Sequence, residues 1–468
     1  MNEQDYDQVT DVATEDYAVA TEDYWLRFRV PPGLMPDSQF DDRPARLQVH
    51  RVRPVYENGK GPSERRAVVL IHGRTVPGPV VFDLRDPSGV TAPGGGALNL
   101  SVQKALARVG IDTFAPSLLG YGRSTRFSLN DPGNASLSQC RPAGSGPRPL
   151  EGCDSTSIAP INPLEQQKSL LIPNPLAESR AHSSNFHFAR TDLWVRDIDQ
   201  LIEDAIERAR PTDGKVALVG YSVGGQHVGR TLYAGNPLGG ELLEERDKMI
   251  AKVSRVAFLN SLFGGLTEER DPFGPPTFPL TLNDQKNNPP ENASDDLWRM
   301  PTTQPPTQPC NGQYIEGTKE QVWAQTMEHE TVGREWGPTG GQPNGGLNRA
   351  PTFSGYGWNP TVAGKLSKPT LVMQGLKDGV LPNVPGSTVQ AGPKTGEAIY
   401  NNLYKDLPQA SMPKKVLVQI ECASHALPWE GAHAALKDAL IEWIKSGRYK
   451  GNESGSFLVK ESGQVVQQ

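Results

Sequence analysis

Three side chains of this sequence are of the types a nucleophilic relay needs, each at or just past the end of an expected strand. Residues 215–225 read Lys-Val-Ala-Leu-Val-Gly-Tyr-Ser-Val-Gly-Gly. The apolar run Val216–Val219 stops at Gly220-Tyr221-Ser222-Val223-Gly224, a G-x-S-x-G pentapeptide at the end of an expected buried strand. A sharp strand-to-helix turn of this kind holds a serine hydroxyl clear of its own backbone. It tolerates only very small residues two before and two after, which Gly220 and Gly224 supply, with further room at Gly225. A serine hydroxyl is a weak nucleophile at neutral pH. It needs a histidine to take its proton, and a third group to fix that histidine's tautomer and stabilise its charged form.

Candidates for both partners lie downstream. Thr370–Gln374 is a short apolar run leading into Gly375-Leu-Lys-Asp378, and Lys415–Ile420 leads into Glu-Cys-Ala-Ser-His425. Each places a polar group a few residues past an expected strand, where ligand and catalytic groups gather in open α/β sheets. Asp378 is therefore the candidate acid, with Glu268 as runner-up, and His425 the candidate base. His50, His72, His182, His187, His227, His329 and His433 lack that combination of order and position. Glu328-His329-Glu330 has no second histidine at ligand spacing and reads as a solvated helix face rather than a metal site.

The elements that must position these groups are legible as periodicity. Eight strands are expected: Trp25–Val30, Leu47–Val55, Ala67–His72, Ile111–Ala115, Val216–Gly220, Val253–Asn260, Thr370–Gln374 and Lys415–Ile420. The middle ones are short continuous apolar runs, as in a parallel sheet buried on both faces. Helical patterns separate them at Leu98–Val109, Thr191–Arg210, Gln226–Tyr233 and Ala434–Lys445. The clearest is Thr191–Arg210, where Leu193, Val195, Ile198, Leu201, Ile202 and Ile206 form one apolar stripe behind a Thr191 N-cap. Strands alternating with helices imply an α/β doubly wound sheet.

Two regions break the alternation. Residues 121–189 are rich in Pro, Ser and Asn, and residues 263–365 in Pro, Gly, Asn and Thr, with one helical piece at Lys319–His329. Structureless loops of that length are unusual in a domain, and aromatics such as Phe273, Trp298, Trp323 and Trp358 argue for order. They are expected as a first insertion and a cap over the sheet edge that carries Ser222. The core is then 25–120, 190–262 and 366–450, with a polar N-terminal arm over 1–24, where Val-Ala-Thr-Glu-Asp-Tyr occurs twice, and a C-terminal tail over 451–468.

Composition narrows the partners. The 468 residues carry a net charge of −6 and no basic run, which argues against nucleic acid. No stretch approaches about 20 apolar residues, so no transmembrane span is expected. Met1–Asp23 is acidic and lacks a basic-then-apolar leader, which leans toward a cytoplasmic location unless a leader was removed. Among the four cysteines, Cys140 and Cys153 flank a Pro/Gly-rich loop and could close a small disulfide, whereas Cys310 and Cys422 have no obvious partner.

The order Ser222…Asp378…His425 on this strand pattern resembles the α/β-hydrolase superfamily over about residues 45–120, 190–262 and 366–447. The resemblance implies an α/β-hydrolase fold with Ser222, Asp378 and His425 as catalytic triad. It further implies an oxyanion hole of backbone N–H groups: Val223 after the nucleophile, and Arg74, or Thr75, in the loop after the third strand, where His72-Gly73 matches many members. Leu119-Gly-Tyr-Gly-Arg-Ser124 resembles the family's G-x-G-x-S loop and is expected to be structural. The chain lacks His-Gly-Gly-Gly and His-Gly-Gly-Pro-Gly, and its nucleophile is serine rather than aspartate. These departures leave the esterase, lactonase and thioesterase group. The implied activity is hydrolysis of an ester or lactone through an acyl-enzyme, without metal or organic cofactor, on a bulky, partly apolar small molecule. An acyltransferase or cyclising thioesterase with the same triad, and a non-catalytic binding protein of this fold, are the alternatives.

Overall fold

Short runs of Val, Leu, Ile and Ala build the middle of one twisted sheet, because only strands covered on both faces can be apolar at every position. In a computed structural model, residues 16–30, 32, 41–57, 61–73, 76–91, 97–125, 191–232, 243–261, 263, 310–329, 358, 360–378, 403–408 and 414–468 are described. In chain order the elements are β1 (Ala18–Arg29), β2 (Pro44–Val55), β3 (Arg66–Ile71), α1 (Gly78–Phe82), α2 (Val102–Arg108), β4 (Ile111–Ser117), α3 (Thr191–Ala209), β5 (Val216–Tyr221), α4 (Val223–Thr231) and α5 (Leu243–Ala251). They continue as β6 (Val253–Leu259), α6 (Thr318–His329), α7 (Pro360–Ala363), β7 (Thr370–Gly375), β8 (Lys415–Ile420), a 3₁₀ turn (Leu427–Trp429), α8 (His433–Ser446), β9 (Gly455–Val459) and β10 (Val465–Gln467).

The sheet order is β1-β2-β4-β3-β5-β6-β7-β8-β9-β10. Strand β2 runs antiparallel to β1 and β4, while β4, β3 and β5 through β9 are mutually parallel and β10 turns back on β9. This is the α/β-hydrolase fold. The chain passes from β3 to β4 on one side, then crosses to β5 on the other, so β3 and β5 are neighbours, with Ile71 opposite Gly220. Their carboxyl ends form the topological switch point, the place where open α/β sheets gather ligand and catalytic groups.

Alternation along the strands feeds two cores. Ala67, Val69 and Ile71 of β3, with Val216 and Leu218 of β5, pack against Trp194, Ile198, Leu201 and Ile202 of α3. Val68, Leu70, Ala217, Val219 and Tyr221 face the other way, toward Leu106 of α2 and Leu436, Leu440 and Trp443 of α8. Helix α2 starts where Ser101 accepts the Lys104 amide at 2.9 Å, and α8 stops at Gly447, whose φ of 69° suits a left-handed cap.

Ten strands replace the eight expected. Strand β1 begins at Ala18, inside the segment expected to be an arm, and β9 and β10 lie in the expected tail. All lie toward the edges of the sheet and are only partly buried along their length, so they lack the fully buried apolar runs of the middle strands. The parts of 263–365 that are described pack on the core. Trp358 is fully buried, stacked on Phe258 at 5.3 Å and edge-on to Phe263 at 5.7 Å. In α6, Gln325 accepts the Arg85 amide at 3.0 Å and donates to the Asp83 carbonyl at 2.9 Å, which docks that helix on the end of α1. Among the described residues no helix is long and apolar enough to cross a membrane.

Candidate active site

Ser222 follows β5 directly and opens into α4 with φ 55° and ψ −125°, a conformation that costs an L-residue on the order of 1–3 kcal/mol. The surrounding glycines make it attainable. A Cβ on Gly220 would lie 2.4 Å from the Cα of Gly225, and one on Gly224 would lie 2.3 Å and 2.5 Å from the carbonyls of Ile71 and His72. A Cβ on Gly225 would lie 1.9 Å from Ser261 Oγ. Real Cβ atoms do not approach so closely, so glycine is required at all three positions.

The other two groups arrive from the ends of β7 and β8. After Gly375 the chain turns, with the Asp378 amide donating to the Gly375 carbonyl at 3.2 Å and the Lys377 amide to the Ala423 carbonyl at 2.9 Å. The Asp378 carboxylate is fully buried, and its Oδ2 lies 2.8 Å from His425 Nδ1. His425 Nε2 lies 2.9 Å from Ser222 Oγ, so one imidazole bridges the two. Ser222 and His425 are each 4 % exposed.

The imidazole is steered from behind. Tyr221 OH donates to the His425 carbonyl at 2.6 Å, and its ring lies 5.2 Å from the imidazole. Burial holds the Tyr221 phenol far above its ordinary range, so it remains a donor. Asn260, at φ 41° past the end of β6, donates to the Ser424 carbonyl at 2.8 Å and accepts the Gly375 amide at 2.8 Å, joining the ends of β6, β7 and β8. In the sequence neither residue carries a signal of this role beyond its position at the carboxyl end of β5 or β6.

Val223, the first residue of α4, has its amide among the first-turn N–H groups that lack an intrahelical acceptor. Arg74 and Thr75 lie outside the described residues. Their neighbour His72 is fully desolvated, and burial pushes its imidazole down to about 4. It is therefore neutral: Nε2 accepts the Leu118 amide at 3.0 Å and Nδ1 donates to the Gly73 carbonyl at 2.6 Å. The Gly120–Ser124 loop is structural, as expected. Ser124 Oγ accepts the Gln48 amide at 2.9 Å and donates to the Ser117 carbonyl, while Tyr121 packs edge-on to His72 at 4.7 Å.

Other candidates resolve differently. Glu268, His182 and His187 lie outside the described residues. His227 is buried edge-on against Trp194 at 4.5 Å, its imidazole pushed down to about 3 by desolvation. His329 does not lie on a solvated face: burial lowers it to about 4, and it is Glu328 that reaches solvent and pairs with Arg85. The cysteine expectation is corrected as well. Cys310 and Cys422 form a disulfide with Cα atoms 5.7 Å apart, although 112 residues separate them. No local spacing could reveal that pair. Cys140 and Cys153 lie outside the described residues.

No protein-family profile and no curated protein matches the chain. Among solved structures, the chain is similar to a thioesterase domain from the curacin biosynthetic pathway, at 14% identity over 90% of this chain and 99% of that one, with a TM-score of 0.41. A soluble variant of monoglyceride lipase from Saccharomyces cerevisiae matches at 12% identity over 86% and 93%, with a TM-score of 0.39. An esterase from Exiguobacterium antarcticum matches at 12% identity over 86% and 96%, with a TM-score of 0.38.

Proposed function

We propose that this protein is a serine hydrolase that cleaves a carboxylic ester or lactone through an acyl-enzyme. The observation that carries the reading is the His425 imidazole held at 2.8 Å by Asp378 and at 2.9 Å from Ser222 Oγ. Ser222 Oγ attacks the acyl carbon while His425 Nε2 takes the hydroxyl proton. The resulting imidazolium is stabilised by the Asp378 carboxylate at Nδ1. Amides of Val223 and Arg74 receive the oxygen that becomes negative, and one such donor contributes about 3 kcal/mol. His425 then returns its proton to the leaving alcohol. A water, deprotonated by the same nitrogen, attacks the acyl carbon and regenerates Ser222.

The substrate is proposed to be a small molecule. A bulky, partly apolar acyl group is proposed from the aromatics of 263–365, of which Phe263, Trp323 and Trp358 are buried and Phe273 and Trp298 lie outside the described residues. A disulfide is characteristic of oxidising compartments, so Cys310–Cys422 supports an extracytoplasmic location rather than the cytoplasmic one.

The test is reaction with a fluorophosphonate probe read by intact mass, alongside turnover of p-nitrophenyl esters of increasing chain length. Wild type should gain one adduct and release p-nitrophenol, while Ser222→Ala and His425→Ala do neither. Absence of any adduct on folded wild type would remove the serine-hydrolase reading. A competing alcohol that diverts the acyl group would replace hydrolysis with acyl transfer.

A further inference from the structure

The turn that carries His425 has no regular structure, and something must hold it still. On one side Asn260 and Tyr221 bind the carbonyls of Ser424 and His425. On the other stands Glu430, a fully buried carboxylate that touches none of Ser222, His425 or Asp378 through the hydrogen bonds described. Its Oε2 accepts the Ser424 amide at 2.7 Å and its Oε1 accepts the Ser424 hydroxyl at 2.5 Å. That hydroxyl in turn accepts the Ala426 amide at 3.1 Å. The residues on either side of His425 are thus tied to one carboxylate.

Glu430 also reaches the second insertion. Gln313 is 2 % exposed and donates from Nε2 to Glu430 Oε1 at 3.2 Å, while its carbonyl accepts the Gly431 amide at 2.9 Å. Gln313 Oε1 accepts the Cys310 amide at 3.1 Å, and Cys310 is bonded to Cys422, three residues before His425. A Cβ on Gly431 would lie 2.2 Å from the Gly312 carbonyl, so the two segments are in direct backbone contact. All three groups described on the Glu430 oxygens are donors: an amide, a hydroxyl and a side-chain amide. A carboxylate satisfies them all, whereas a carboxamide must turn an NH₂ toward one of them. Burying a carboxylate is costly unless it is so satisfied, and here the donors that satisfy it come from the turn beside His425 and from Gln313.

We propose that Glu430 is the positioning residue of His425, and that residues 310–313 of the second insertion are coupled to catalysis through it, by the Gln313 hydrogen bond and the Cys310–Cys422 disulfide. The proposal rests on the serine-hydrolase reading above. Loss of Glu430 lets the 424–426 turn relax, and a shift of about 1 Å at the imidazole can cost on the order of 100-fold in rate.

The experiment compares wild type, Glu430→Gln, Gln313→Ala and wild type reduced with excess phosphine, with thiols counted by intact mass. Each is measured for kcat and KM on p-nitrophenyl acetate, for the fluorophosphonate labelling rate, and for the folded fraction by near-UV circular dichroism. Expected for Glu430→Gln is a kcat lowered roughly 10- to 100-fold per folded molecule, a KM within about threefold, and labelling slowed in parallel. Gln313→Ala and the reduced protein should show the same split at roughly threefold to tenfold. A purely structural role would lower the folded fraction and leave kcat per folded molecule unchanged, and that result overturns the proposal. If Glu430→Gln does not fold, unchanged kcat in both Gln313→Ala and the reduced protein overturns it equally. Wild type that never labels sinks the serine-hydrolase reading and this proposal with it, whereas labelled wild type with unaffected variants sinks this proposal alone.

Discussion

Gly73 lies directly against Ser222: a Cβ built on Gly73 would stand 2.6 Å from the Ser222 Cβ and 3.2 Å from its Oγ. The end of β3 and the turn after β5 are therefore in contact through a missing side chain. Gly73→Ala should displace the serine hydroxyl from His425 and lower the rate of fluorophosphonate labelling by about 100-fold, as a displacement near 1 Å can. The check is the labelling rate per folded molecule, and a rate equal to wild type would show that the contact is irrelevant to the nucleophile.

Asp378 is buried and bonded to the Nδ1 side of His425. Asp378→Asn keeps the shape but offers an NH₂ to Nδ1, favouring the tautomer whose Nε2 already bears a proton and cannot take one from Ser222. We expect kcat on p-nitrophenyl esters to fall about 10⁴-fold with KM little changed. A loss below tenfold would indicate that another acid orients His425.

His50 bridges two carboxylates, an arrangement separate from the Asp378–His425–Ser222 relay. Its Nδ1 lies 2.9 Å from Asp23 of β1 and its Nε2 2.8 Å from Asp83 at the end of α1, with Lys104 3.4 Å from the same Asp83. Burial alone would lower His50, but hydrogen bonds and charge from Asp23 and Asp83 outweigh it and raise the imidazole to about 9. Because the folded value exceeds the ordinary 6.5, the stabilisation is complete below pH 6.5 and is lost as pH rises toward 9. The melting temperature should fall across that window, with a loss on the order of 3 kcal/mol. His50→Gln should be less stable at pH 6 and show a flatter profile over the same window; parallel profiles for the two proteins would refute the assignment.

The Cys310–Cys422 bond closes a loop with a sequence separation of 112 residues. Restricting so long a loop in the unfolded chain stabilises the native state by about 2–5 kcal/mol. Urea unfolding with and without reductant should show a midpoint shift of corresponding size. An unchanged midpoint, with both thiols confirmed free, would mean that the hydrogen bonds of Gln313 and Gly431 suffice to hold the segment.

Much of the candidate site was legible because its parts obey local rules. The Gly220–Gly224 pentapeptide follows from steric limits at a strained serine, and a run such as Thr370–Gln374 followed by a polar turn marks a strand end facing a crevice. The residues that hold the site in place obey no such rule. Asn260 bonds Ser424, 164 positions away, and Tyr221 bonds His425 across 204. Each is an ordinary polar residue until the sheet order makes it a neighbour.

By itself, then, the sequence determined the apolar strands β3 to β8, the doubly wound class, and the identities and order of Ser222, Asp378 and His425, since burial on both faces and the tight turn at serine each restrict residue type at a fixed spacing. Tertiary structure decided the rest: the extension of the first strand back to Ala18 and the outer strands β9 and β10, which acquire meaning only from the strand beside them; the Cys310–Cys422 pairing; and the Glu430 cluster. The physical reason is common to all three. Hydrogen bonds and disulfides between residues far apart in sequence depend on distances that only the completed sheet sets, whereas the hydrophobic period and the steric limits of a turn act within a few residues of chain.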